Sequence, residues 1–370
     1  MSSEQKKSLF VQGSILALAG IITKIIGFVY RIPMANILGD QGNGIYSVAF
    51  GIYNIALTLS SYSLPQAVSK LVAEKIALKE YKNKMRIFSH ALVFAVIAGA
   101  AAFALLWFGA DFLEQLYARQ GLARPLRVLA PTAFIVAVLG VFRGFYQGHG
   151  SMTPTAVSQI MEQIVNAVVS IAAAYTLSMM YSGSDDVHSW AAAGGTMGTL
   201  FGALTALLFF IGLTLMQRKN IRRGLKGGSA VTDADSVIYK AIFLTVIPII
   251  LSQTIYQIGN TIDDLMFSNI MASKGLSDAV VGSVQGVFNT QYIQLVNLPV
   301  AVATAMAAST LPSISAAYIT GKIDEANARI NSIVKFNMVI AIPSAAGLAV
   351  LGLPIVSVLF PRLTEYRSMA

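Results

Sequence analysis

Thr23–Gly44, TKIIGFVYRIPMANILGDQGNG, poses the problem that the rest of the chain must solve. It continues an apolar run that starts at Leu9 and is long enough to cross a membrane. Yet Lys24 and Arg31 stand within that run, and Pro33 stands near its end. A cation inside hydrocarbon costs a few kcal/mol on insertion scales. Seven residues separate the two cations, so a helix carries both on one face, two turns apart. Such a face suits a polar, water-filled interior that the helix lines. The alternative is that Arg31 snorkels to the outer interface while Lys24 is merely tolerated. Gly39 to Gly44 then predicts the turn into a second helix.

Composition narrows the class. The chain has 370 residues, 55% hydrophobic and 12% charged, and its mean hydropathy is +0.67. A soluble domain carries about twice that charge, so the sequence is that of an integral membrane protein. There is no Cys, which excludes disulfides and thiolate-bound metals, and three scattered histidines make a poor metal site. The net charge of +9 reports cytoplasmic loops rather than nucleic acid. The first apolar run is too long for a signal-peptide core.

At about 20 apolar residues per span, about nine helices are expected, near 9–33, 44–69, 87–110, 126–147, 153–180, 190–216, 238–267, 282–317 and 332–360. Lys70, Lys75, Lys79, Lys82, Lys84 and Arg86 follow the second of them; Arg218 to Lys226 follow the sixth; Lys322 and Arg329 follow the eighth. The alternate loops are poorer in cations, except for Arg119, Arg124 and Arg127, which Asp111 and Glu114 partly offset. This asymmetry predicts a multi-pass protein of the cell membrane with a cytoplasmic N-terminus.

The polar stretch 217–236 divides a six-helix lobe, 1–216, from a second lobe, 237–370. The two halves echo each other: SSYSLPQAVSKLVAEK in the first, with Leu64-Pro65, and AASTLPSISAAYITGK in the second, with Leu311-Pro312. Internal repeats of this kind mark transporters. With six-helix repeats, the second lobe holds about three helices and is expected to be truncated.

Polar residues inside the spans predict what the lobes enclose. Gln159, Glu162 and Asn166 lie on one face of the fifth helix, Glu162 near mid-depth. Glu162 either lines a cavity or pairs with Arg143 of the fourth span, and the two roles are compatible. On the seventh helix, Gln253, Gln257, Asn260 and Asp264 recur at i, i+4, i+7 and i+11, with Asp263 about 100° away from Asp264. They mark either a cavity wall or interhelical glue, and Asp263 and Asp264 either couple a cation or sit at headgroup level. Gln285, Asn289, Gln291 and Gln294 open the eighth helix. No Walker loop and no paired nucleophile and base stand out, so no enzyme is predicted and no cofactor is called for.

Two stretches carry a resemblance. TKIIGFVYRIPMANILGDQGNGIYSVAF and FRGFYQGHGSMTPTAVSQIMEQIVN (Phe142 to Asn166) resemble the stage V sporulation protein B and polysaccharide-biosynthesis family. That family belongs to the superfamily of multidrug and toxin extrusion exporters, oligosaccharidyl-lipid flippases and lipid II flippases. The resemblance implies an all-α, two-lobed transporter that works by alternating access, with about 12–14 helices in full. In the lipid II flippase branch the first helix reads roughly Ser-Arg-Val-Leu-Gly-Phe-Ala-Arg, and its arginines are functional. Here Lys24 keeps the first cation, Tyr30 replaces the second, and Arg31 stands one place later. By that likeness Lys24 is the expected site cation, with Arg31 nearer a vestibule or interface.

Three functions are therefore in view. The first is a flippase carrying a polyprenyl-diphosphate-linked glycan, such as lipid II or a polysaccharide repeat unit, to the outer leaflet. Its cavity would hold Lys24, Arg31 and Arg143, and the membrane potential, protons or sodium would drive it. The second is a cation-coupled multidrug exporter using Glu162, Asp263 and Asp264. The third is a membrane scaffold that partners wall-synthesis enzymes. The sign of the cavity charge separates the first two, and a closed interior would mark the third.

Overall fold

The structure is a computed structural model that describes residues 3–224, 232–319 and 321–361; within the helices some side chains, those of Gln257 and Asn260 among them, lie outside the described set. All regular structure among the described residues is helical. The helices are α1 (Ser3–Ser60), α2 (Leu64–Ala77), α3 (Tyr81–Phe108), α4 (Ala110–Leu116), α5 (Ala123–Gly148) and α6 (Thr153–Met180). They continue with α7 (Val187–Gly224), α8 (Asp235–Ser273), α9 (Asp278–Val287), α10 (Ile293–Ile319) and α11 (Ile323–Leu359). A π-helical segment, Phe288–Tyr292, joins α9 to α10. Among the described residues, seven stretches are long and apolar enough to cross a membrane, and the first of these, Leu18–Ala77, contains a reversal.

That reversal is the turn expected at Gly39 to Gly44. Gly39 adopts φ +69° and ψ 175°, a conformation essentially closed to residues with a Cβ. The arms on either side of Gly39 fold onto each other. Asn43 pins the corner, its Nδ2 donating to Ala35 O at 2.8 Å and Gly39 O at 2.7 Å. Met34 and Leu38 of the first arm share a core with Val48, Ala49 and Ile52 of the second.

The second arm ends at Ser60, short of the expected 44–69 span. The hydroxyls of Ser60 and Ser61 bond back to Ala56 O and Leu57 O, at 2.7 and 3.0 Å, in competition with the helix ladder. Pro65 then falls in the first turn of α2, where its missing N–H is harmless. In the second half the backbone of α10 runs unbroken through residues 311–312, so the two Leu-Pro pairs play different backbone roles.

Small residues let α6 and α7 approach closely, as the run Ala191–Gly202 predicts, and Ser170 Oγ on α6 donates to Gly195 O at 2.7 Å. The three exceptional arginines of the cation-poor loops are all paired. Arg124 meets Asp186 at 2.6 Å, Arg127 meets Asp111 at 2.6 Å, and Arg119 meets Asp278 at 3.1 Å. At the opposite end of the bundle, Lys75 bridges Glu80 and Asp233, at 2.8 and 2.7 Å, while Arg86 binds Asp235. These contacts tie the start of α8 to the α2–α3 turn. Ile238, Ile242 and Val246 of α8 complete a core with residues of α2, α3 and α5, and Phe94 meets Phe243 edge-on at 5.3 Å. By packing, α8 therefore lies with the helices of the first half.

Candidate functional site

The fold of α1 back on itself, together with α8 and the α9–α10 run, encloses a polar cavity of about 490 Å³. Both arms of α1 contribute, with Arg31 from the first and Ser47, Phe50 and Asn54 from the second. Asp263 and Asp264 enter from α8; Asn289 comes from the π segment, and Gln294 and Asn297 come from α10. The π segment matters because its extra residue per turn changes which side chains of the eighth span face inward.

Arg31 is the cation of this cavity. Its guanidinium is accessible, and Nη1 donates to Gln294 Oε1 at 3.1 Å. Among the described residues no carboxylate forms an ion pair with it. A neutral amide cannot cancel a guanidinium charge, so among the described residues the cavity holds one cation with hydrogen-bonding capacity for an anion, alongside the two carboxylates of Asp263 and Asp264. Lys24 is exposed and is not among the lining residues. Helical spacing puts it on the same face as Arg31, about 10 Å toward the N-terminus.

Asp264 is heavily engaged by comparison. Gln285 Nε2 donates to its Oδ1 at 2.8 Å, and Asn289 bonds it as well. Asn289 Nδ2 also reaches Ser47 Oγ at 3.2 Å, which ties the π segment to α1. Asp263 is exposed and lines the cavity.

The other polar residues foreseen in the sequence lie elsewhere. Arg143 Nη2 meets Glu162 Oε2 at 2.6 Å, and Ser158 Oγ accepts from Arg143 Nε at 3.4 Å and Nη2 at 3.3 Å. This pair locks α5 to α6, with side chains only 15% and 25% exposed, and does not line the polar cavity. Asn166 is buried; its Nδ2 donates to Tyr30 Oη at 3.4 Å, and its Oδ1 accepts from Ser170 at 3.0 Å. It joins α6 to α1. Gln159 is half-buried and Gln253 exposed, while Gln257 and Asn260 have side chains outside those described. Asp264 of the α8 stripe lines the cavity, whereas Lys24 and Glu162, which the helix-by-helix reading puts in the same space, are not among its lining residues.

Arg119 is the residue that sequence reasoning missed. Read as a loop cation, it is in fact 1% exposed and reaches Asp278, Ser268 and Gln285. Its one signal in the sequence was its place, with Arg124 and Arg127, among loops that are otherwise poor in cations. Among the described residues no group of His, Asp and Glu is placed to hold a metal ion.

Outside the spans, electrostatics favour the charged forms at both ends of the bundle. A hydrogen bond from Lys75, with a second from Asn83, holds the Glu80 carboxyl below its usual range. A hydrogen bond from Arg124 does the same for Asp186.

Residues 10–318 match the family model described as "Polysaccharide biosynthesis protein". The chain is 24% identical over 367 residues to the lipid II flippase MurJ of Bacillus subtilis (strain 168), a match covering 96% of this chain and 65% of that one. It is 27% identical over 316 residues to stage V sporulation protein B of the same organism, covering 84% of this chain and 58% of the relative. The chain thus spans less than two thirds of the length of either relative. Among solved structures, the inward-facing conformation of a multidrug resistance MATE family transporter of the MOP superfamily aligns with a TM-score of 0.70 at 17% identity, over 94% of this chain and 76% of that one. A MOP superfamily transporter from Pyrococcus furiosus aligns with a TM-score of 0.64 at 17% identity, over 97% and 75% of the two chains. These likenesses establish the two-lobed helical transporter fold.

Proposed function

The chain belongs to the polysaccharide biosynthesis protein family, and on that premise we propose that it carries a lipid-linked anionic glycan from the inner to the outer leaflet by alternating access. One observation carries this reading: Arg31 lines the polar cavity with neutral partners, the Gln294 amide and the Tyr30 hydroxyl, and among the described residues no carboxylate forms an ion pair with it. A polyprenyl diphosphate supplies the missing anion, and a guanidinium fork binds phosphate oxygens in pairs. Amides from Asn54, Gln294 and Asn297 suit the hydroxyls of a sugar headgroup. Lys24, two turns away on the same face, gives the headgroup a second cation along its path. The names of the relatives, a lipid II flippase among them, agree with a cell-wall precursor as cargo.

The charge asymmetry supports an orientation: the cations of Lys70 to Arg86 and of Arg218 to Lys226 favour a cytoplasmic location for that end and for the N-terminus. Moving two negative charges outward is then favoured by the membrane potential, at about 2.3 kcal/mol per charge per 100 mV. Alternating access would rock the second-half helices against the first lobe, with α8 carried by the first lobe because it packs there.

A second reading, cation-coupled export of drugs, draws on Asp263 and Asp264, which outnumber Arg31 in the same lining. The sign of the lining charge favours this reading, and membership of the family favours the first. A scaffold without transport has no use for an accessible polar cavity of this size. The test is flipping of defined lipid-linked precursors in proteoliposomes. Arg31→Ala should slow it by at least about tenfold, the effect of losing one charged hydrogen bond, with Arg31→Lys in between. Wild-type rates in Arg31→Ala would remove Arg31 from the site, whereas no flipping by the unaltered protein together with export of a cationic dye would favour the drug exporter.

A further inference from the structure

We infer that Gln285 and Arg119 are positioning residues that couple the contents of the cavity to the seal at its outer end. The inference rests on the transport reading and adds the part of the molecule that reads the ligand. The seal itself is backbone against backbone. A Cβ on Gly44 would stand 2.2 Å from Gly282 O, and one on Gly286 would stand 2.2 Å from Asp40 O. The second arm of α1 and α9 are therefore in direct contact beside the cavity, and Ser283, next to Gly282 on α9, is buried, 2% exposed.

Across this seal lies one buried arginine from the first half. Arg119 sits in the turn before α5, between Ala118 at φ 46° and Gly121 at φ 82°, two left-handed positions that aim its side chain inward. Its Nη1 donates to Asp278 O and Oδ1, both at 3.1 Å, and its Nη2 donates to Ser268 Oγ at 3.3 Å and Gln285 Oε1 at 2.7 Å. The neighbouring Gln120 N–H donates to Asp278 Oδ2 at 3.2 Å. One side chain thus fastens α8 and α9 to the α4–α5 turn.

Gln285 turns that fastening into a relay. An amide has one acceptor and one donor end, and here both are used: Oε1 accepts from Arg119, and Nε2 donates to Asp264. Asp264 lines the cavity. The chain Asp278–Arg119–Gln285–Asp264–Asn289–Ser47 therefore runs without a gap from the outer rim to the cavity wall. A headgroup that donates hydroxyls to Asp264 competes with Gln285 for the same oxygen. Gln285 then loses the anchor that holds its carbonyl on Arg119, and the seal loosens only when the cavity is occupied.

The chain lacks Cys, so a single Ser283→Cys change gives a clean reporter in detergent-solubilised protein, whatever the cargo. In that background Arg119→Gln and Gln285→Leu should raise the thiol-labelling rate by about tenfold or more, the factor expected from losing one charged hydrogen bond. Gln285→Glu separates latch from relay, because a carboxylate still binds Arg119 but repels Asp264. It should label as slowly as the parent while precursor flipping falls. A residue with a merely structural role would lower yield and labelling resistance in all three variants together. Unchanged labelling in both Arg119→Gln and Gln285→Leu, with monodisperse protein, overturns the latch. Normal flipping by Gln285→Glu overturns the relay. Because labelling needs no substrate, failure of the transport reading would leave the latch result standing.

Discussion

Individual side chains in this molecule divide into those left with unused valence and those consumed by their neighbours. Arg31 keeps its charge available, whereas Arg143 and Glu162 neutralise each other. Breaking that pair strands a largely buried charge, which typically destabilises by about 3 kcal/mol. Arg143→Ala should therefore lower the thermal midpoint in detergent clearly, and the double change with Glu162→Ala should recover most of the loss. If the double variant is stable and still flips substrate, the pair is a lock between α5 and α6 and nothing more. Residue types and spacings were legible in the sequence here, but partnership was not. Glu162 and Gln253 look alike as polar residues within apolar helices, and only packing shows that one is paired and the other exposed.

At the scale of elements, the corner at Gly39 decides the site, because it brings Arg31 and Asn54 to the walls of one cavity. Gly39→Ala would place a Cβ in a backbone region that costs about 1–3 kcal/mol for other residues. We expect reduced stability of about that size and weaker transport, measured as a lower unfolding midpoint and a lower flipping rate. An unchanged midpoint would mean that the corner relaxes to another conformation. The sequence showed a turn at this point from its glycines, and its apolar runs showed the helices. It did not show the break at residues 61–63. Serines and one proline are tolerated within many membrane helices, and whether the ladder breaks depends on what else satisfies it.

Over the whole molecule, paired charges hold both ends of the bundle. Glu80 with Lys75 and Asp186 with Arg124 are carboxylates whose acidity the folded state increases. Their contribution is complete above the usual carboxylate range and is lost as pH falls through the lowered folded values. Thermal midpoints should hold from neutral pH down to about pH 5 and fall on further acidification. Glu80→Gln combined with Asp186→Asn should flatten that acid limb. A limb unchanged in the double variant would assign it to other groups. The pairing of α8 with α2 and α3 also belongs to this scale, and the boundary at 217–236 gave no hint of it. A polar linker marks where the chain leaves the membrane, not which bundle the next helix joins.

From the sequence alone came the membrane class, the order of the helices, the turn after the first, the charge asymmetry and the family. All of these depend on local composition and on periodicity along one helix. The tertiary structure decided that Arg31 lines the cavity while Lys24 lies outside its lining, that Glu162 is spoken for, and that Arg119 is buried against α8 and α9. The reason is physical. The cost of a charge in a membrane depends on what surrounds it, and its surroundings come from helices hundreds of residues away in the chain, as when Gln294 meets Arg31.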